Sequence, residues 1–169
     1  SMDSQILAWK NSLAATRSAI RAGNLRELVE KQAISSPRSV ERLRIHDSKM
    51  SDLDGSISGL SRVKGQYYEL RCHSYSSRDD PLIQDWRKRI TRDHTPPLHQ
   101  SKVLLLLPCS ATKPYRLSSS HKRFSRSITS NSIHEVIVTA PLGLVPRELE
   151  DLWPAANYDI PVTGDWDID

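Results

Sequence analysis

Apolar positions near the start of the chain, Ile6, Leu7, Leu13, Ile20, Leu25, Leu28 and Val29, recur at mixed three- and four-residue spacings. That spacing predicts helix over about residues 4–32. Gly23 interrupts the run, and Asn24 stands where a cap would start a second helix through Glu30. Pro37, behind Ser35 and Ser36, opens a further helix from Arg38 to Ile45. Residues 46–62 are polar, aperiodic and rich in Ser, Gly and Asp, which reads as a loop or linker. A short strand fits Gln66 to Arg71. The SYSSRDDP segment then caps a helix from Leu82 to Arg92, ended by Thr95-Pro96-Pro97.

Past the double proline the period changes. Val103 to Leu107 is an unbroken aliphatic run closed by Pro108, the pattern of a strand buried on both faces. Ser118 to Ser130 follows as a Ser- and Arg-rich helical stretch, and Glu135 to Thr139 as a second, β-branched strand. Pro146 to Leu152 reads as a short helix with proline at its first position. Strand, helix, strand, helix is the rhythm of a parallel α/β sheet. The expected architecture is a helical N-terminal segment, residues 1–97, followed by a small parallel-sheet α/β domain, residues 98–169. Two long strands are few for such a sheet, which suggests a part of a longer multidomain protein.

Composition narrows the class. The chain is 37% hydrophobic, below the globular norm of about 45–50%. No apolar run approaches the roughly 18 residues of a membrane span. Two cysteines, Cys72 and Cys109, make no disulfide framework and no structural zinc site of their own; a reducing cytoplasm is the expected location, with no metal or cofactor. Charge is segregated: residues 98–133 carry six Lys/Arg and no acid, whereas residues 134–169 carry Arg147 against eight acids. A basic block of that kind suits a phosphate-rich partner, although a solvated face accounts for such runs equally often.

In an open parallel sheet, ligands bind beyond the carboxyl ends of the strands, which selects the loops after Leu107 and Thr139. The first brings Cys109, Lys113, Tyr115, Ser118 and His121 into fourteen residues. Lys113 could lower the thiol pKa or hold an anion, and Ser118 and His121 share a helix face. A cysteine at a strand end is more often a packed residue, and a serine before a helix is usually a cap. The density of the cluster makes it a candidate site. The second loop offers Gly143 for close backbone approach and Arg147 for an anion, though a tight proline-framed connection explains it as well. In the tail, Asp165 beside Trp166 could receive an ammonium, or belong to an acidic turn.

The string Pro108-Cys109, Lys113-Pro114-Tyr115, Ser118, His121 reproduces the PCxxxKPYxxSxxH motif of archaeosine synthases, and the chain resembles that family. VTAPLGLVPRELE and YDIPVTGDWD resemble it too. AIRAGNLRELVE, residues 19–30, is similar to the helical segment behind the barrel of archaeal tRNA-guanine transglycosylases and their paralogues. The resemblance implies tRNA modification: free lysine is joined through an amidine to the nitrile of 7-cyano-7-deazaguanine in the tRNA D-loop. A radical-SAM partner then cleaves the adduct. It implies lysine handling by Pro108, Cys109, Lys113, Pro114, Tyr115, Ser118 and His121. Within that reading Cys109 serves as nucleophile, His121 as base, Asp165 as an ammonium site, and Lys122, Arg123 and Arg126 face tRNA. Family members carry a barrel before this region and an RNA-binding PUA domain after it; neither fits in 169 residues, so both are expected as excised or separate parts. The competing reading is a non-catalytic RNA-binding or docking domain of a transglycosylase assembly. A cysteine hydrolase lacks a recognisable oxyanion loop or partner acid.

Overall fold

Gly23 adopts φ +70°, a left-handed conformation that ends α1 (Met2–Ala22) and lets the chain turn into α2 (Leu25–Ala33). Asn24 holds the cap position, but its side chain makes no capping bond. The computed structural model describes residues 2–51, 69–72 and 74–160. They fall into two compact units, one of residues 2–51 with 74–81 and the other of residues 69–72 with 82–160.

In the first unit, α3 (Pro37–Ser51) starts at the predicted proline and runs six residues past the predicted end at Ile45. Residues 46–51 of the expected linker are therefore helical, and residues 52–62 lie outside the described residues. Nothing in HDSKMS breaks a helix, and Asp47 within it is held by a buried arginine. Arg26 is 1% exposed. Its Nε donates to Glu30 Oε1 at 2.7 Å, its Nη2 to Asp47 Oδ2 and the Ser76 carbonyl at 2.9 Å each, and its Nη1 to Asp47 Oδ1. Ser77 Oγ donates to the other oxygen of Glu30. Burying these charges is tolerable only because each is paired and hydrogen-bonded. The apolar residues that predict α1 do not form its core: Ile6, Leu7, Leu13 and Ile20 are exposed, and among the described residues of α1 only Ala19 is buried.

The second unit carries the sheet. The predicted strand at Gln66–Arg71 is seen as β1 (Leu70–Arg71), with Glu69 before it not in the strand and residues 66–68 lying outside the described ones. The capping segment forms a 3₁₀ turn, Tyr75–Asp79, before α4 (Pro81–Arg92). Although α4 was expected with the N-terminal segment, it packs here through Ile83 and Trp86, with Trp86 Nε1 donating to the Leu144 carbonyl at 3.1 Å. Then come β2 (Val103–Pro108), α5 (Ser119–Ser127), β3 (Ile133–Thr139), β4 (Gly143–Pro146) and β5 (Tyr158–Asp159). The sheet order is β2-β3-β4, with β2 and β3 parallel and β4 antiparallel to β3; β1 and β5 form a separate parallel pair.

Three expectations are corrected here. β2 is not buried on both faces: Val103, Leu104 and Leu106 are each more than half exposed, and only Leu107 is fully inside. An edge strand has a neighbour on one side only, and in this unit one face alone of β2 meets the core. The segment read as a connection, Gly143 to Pro146, is a strand. Gly143 at φ +78° makes the reversal after the Ala140–Leu142 turn, a conformation costly for any residue with a Cβ. The short helix expected after Pro146 is a 3₁₀ turn, Arg147–Leu149. Tyr115, Ile137, Leu142, Val145, Ala155 and Tyr158 are nearly or wholly sequestered and make up the core beneath the loop after β2.

Candidate active site

The loop after β2 is anchored from below. Ser118 is the N-cap of α5, and its Oγ accepts the His121 backbone N–H at 3.2 Å. That turn sends the His121 ring into the interior, where it has no exposure. Its Nε2 lies 2.9 Å from the Pro108 carbonyl, which can only accept, so Nε2 carries the proton. Nδ1 then accepts from Arg147 Nη2 at 2.9 Å. Burial, and next the Arg147 charge, hold the imidazole below its ordinary pKa, which favours this neutral tautomer. Arg147 is fixed in turn by Glu135 Oε2 (3.0 Å from Nε, 2.8 Å from Nη2) and by Glu150 Oε2 (3.0 Å from Nη1). The anion expected for Arg147 is thus internal. Glu135, Glu150, Arg147, His121 and the Pro108 carbonyl form one connected chain that ends at the residue before Cys109.

Cys109 itself is exposed. Four residues on, the Lys113 ammonium sits 4.2 Å from the centroid of the Tyr158 ring and 3.5 Å from the Ala111 carbonyl. Burial pulls its pKa below the ordinary lysine value, opposed by the charge of the nearby Asp159 carboxylate. Among the described residues no carboxylate bonds the Lys113 ammonium. Pro114 leads into the 3₁₀ turn Tyr115–Leu117, which buries the Tyr115 ring against His121. The Tyr115 hydroxyl meets the Tyr158 hydroxyl, which meets Thr139 Oγ1. With Thr139 donating to the Ala140 carbonyl at 3.1 Å, the direction is set: Tyr115 donates to Tyr158, and Tyr158 to Thr139. Burial raises both phenol pKa values above the usual tyrosine value, so both stay protonated.

The structure therefore brings together Pro108, Tyr115, Ser118 and His121 by direct bonds, with Cys109 and Lys113 on the same loop. Lys122, Arg123 and Arg126 all lie exposed on α5. Asp165 lies outside the described residues. Glu135, Thr139 and Tyr158 were not singled out from the sequence. A usable signal existed: Glu135, Ile137 and Thr139 alternate on one face of a strand, so two polar groups share the side of a buried isoleucine.

Residues 83–169 match the family described as Domain of unknown function (DUF5591). The chain belongs to that family. The matched region of this DUF5591 member includes the whole Pro108–His121 motif and its Arg147 support. Over 92% of its length the chain is 40% identical to "Archaeosine synthase subunit alpha" of Methanosarcina acetivorans, covering 24% of that protein. It is 36% identical over 96% of its length to "Archaeosine synthase" of Haloferax volcanii, covering 26%. At 27% identity over 89% of its length it is similar to "tRNA-guanine(15) transglycosylase" of Methanococcus maripaludis, covering 21%. The chain thus spans about a quarter of the length of these curated relatives. No solved structure matches it.

Proposed function

We propose that this chain takes part in tRNA modification leading to archaeosine, as the lysine-handling region of an archaeosine synthase-type enzyme. The observation that carries this reading is the pairing on one loop of an exposed thiol, Cys109, with a desolvated ammonium, Lys113, that lacks a carboxylate partner among the described residues. A half-buried cation of that kind gains most from an anionic ligand, such as the carboxylate of free lysine.

The reaction adds an amine to a nitrile. Cys109 Sγ forms a bond to the nitrile carbon of 7-cyano-7-deazaguanine, and its proton goes to the nitrile nitrogen, giving a thioimidate. The neutral ε-amine of lysine then bonds to the same carbon. The C–S bond breaks, and the thiol leaves with the proton the amine gives up, leaving the amidine. His121 does not serve as base here: both its nitrogens are engaged, so it acts as a positioning residue that fixes the carbonyl before Cys109. Tyr115, Tyr158 and Thr139 hold the floor of the site, and Ser118 caps α5. Lys122, Arg123 and Arg126 are exposed for contact with tRNA phosphate. A barrel, a PUA domain and a radical-SAM partner complete the pathway in this reading, in the cytoplasm. Among the described residues, no helix is long and apolar enough to cross a membrane.

The test is incubation of the chain with lysine and tRNA bearing 7-cyano-7-deazaguanine, followed by nucleoside mass spectrometry, with lysine binding measured by calorimetry. The expected result is an adduct lost in Cys109→Ala, with tRNA binding unchanged, and lysine binding lost in Lys113→Ala. An adduct undiminished in Cys109→Ala refutes the covalent route. No adduct and no lysine binding, together with salt-dependent tRNA binding, would favour the docking-domain reading, for which the exposed basic residues of α5 speak.

A further inference from the structure

The parallel register pairs Leu104 with His134 and Leu106 with Val136, so His134 shares the open face of the sheet rather than the face that meets the Tyr115 core. Beside it stand His94, just past the end of α4, and Glu148, in the turn after β4. One ligand atom from each of the three lies within 4.8 Å of the other two. Glu148 Oε1 is 3.1 Å from His134 Nε2 and 3.2 Å from His94 Nε2. Only 8% of the His134 side chain and 16% of that of His94 are exposed. The two imidazoles lie stacked, ring centroids 5.7 Å apart at 28°. His94 Nε2 is buried and makes no hydrogen bond, because its approach to the carboxylate has the right length but the wrong angle.

These facts fit poorly with a purely structural contact. A buried imidazole nitrogen that makes no hydrogen bond costs about 1–3 kcal/mol. They fit a metal ion well. Ligands bound at 2.0–2.2 Å in a tetrahedron stand about 3.4 Å apart, close to both separations from Glu148 Oε1. Two neutral imidazoles and one carboxylate suit a borderline first-row divalent cation, and this donor set leaves a coordination position free. A groove lined by Ile90, Pro96, Gln100, Leu104, Leu106 and Leu144 runs alongside His94 and His134. We infer that His94, His134 and Glu148 form a binding site for a divalent transition-metal ion such as Zn2+, on the sheet face opposite the Cys109 loop.

The experiment strips the purified chain with chelator, adds Zn2+ or Co2+, and reads stoichiometry by elemental analysis and affinity by competition with a chromogenic chelator. One ion per chain is expected, with affinity falling at least about 100-fold in His94→Ala and in Glu148→Gln. His94 lies just past a helix end, so its replacement tests the site even if His134→Ala proves unfolded by circular dichroism. The Co2+ spectrum should show tetrahedral d–d bands without the near-ultraviolet thiolate charge-transfer band that the exposed Cys109 would contribute. Binding unchanged in His94→Ala and Glu148→Gln, or carried by a thiolate band that vanishes in Cys109→Ser, overturns the inference. So does a chain that takes up no ion more tightly than the His94→Ala/Glu148→Gln double variant. None of these readouts depends on lysine or tRNA.

Discussion

Replacing Arg147 by methionine removes a cation of similar reach while keeping most of the apolar packing. The loss can be worked from the contacts. Arg147 gives four N–H bonds, two to Glu135 Oε2, one to Glu150 Oε2 and one to His121 Nδ1. Removing one partner of a buried ion pair costs about 3–5 kcal/mol. Two features place this case toward the lower end: the Arg147 side chain is 21% exposed, and Glu150 keeps the Arg116 backbone N–H at 3.2 Å. A loss of about 3 kcal/mol in the second unit is therefore expected. For a unit of this size that lowers Tm by roughly 12–24 °C. The indole N–H of Trp86, bonded within this unit to the Leu144 carbonyl, is a local reporter by NMR during thermal or urea unfolding. Arg147→Lys should recover only part of the loss, since one ammonium cannot present a planar fork to two carboxylates and an imidazole. If Arg147→Met unfolds within about 0.5 kcal/mol of the parent, the chain of contacts carries no stability, and the anchoring of the Cys109 loop must come from elsewhere.

Much of this support was legible in the sequence, but as residues rather than as contacts. Gly23, Pro37 and Pro81 set helix boundaries by fixed backbone rules, and the β-branched run before Thr139 could only be a strand. The site motif was readable because its members lie close in sequence. What joined it to the rest was not. Glu135, Arg147 and Tyr158 reach the motif from up to 43 residues away, and no local spacing encodes such a meeting. Burial was misjudged where hydrophobicity alone was the guide. The leucines of β2 suggested a central strand, yet topology left it at an edge with one face open. The apolar run that predicts α1 lies largely exposed, while the buried positions of α2 include Arg26, Glu27 and Glu30. Arg26 and Glu30 are inside because they bond each other, Asp47, Ser76 and Ser77, a property of pairs four to fifty residues apart that a per-residue scale cannot register. Gly143 looked like a loop residue for the reason it starts β4: its positive φ makes the turn into the strand.

Two further predictions concern buried charge. Arg26→Met leaves the Glu30 and Asp47 carboxylates, both almost wholly buried, without their cation, and should cost the first unit about 3–5 kcal/mol, read as loss of helical circular dichroism at lower urea. A neutral effect would show that these carboxylates take up protons or water instead. The pH dependence of the second unit follows from His121. Its folded pKa is held below the unfolded value of 6.5, first by burial and then by Arg147. Above 6.5 both states are neutral and the contribution is fully present; as pH falls below 6.5 the unfolded chain takes the proton first, so stability declines until the folded pKa is passed. One proton sets a limiting slope of about 1.4 kcal/mol per pH unit. His121→Gln, whose amide can still donate to the Pro108 carbonyl and accept from Arg147, should flatten the acid-side decline relative to the parent. Equal slopes would mean that the ring titrates normally and is not held neutral. The two causes can then be separated. In an Arg147→Met background the slope difference between His121 and Gln should shrink but persist, because burial is the larger cause and the arginine charge only the second.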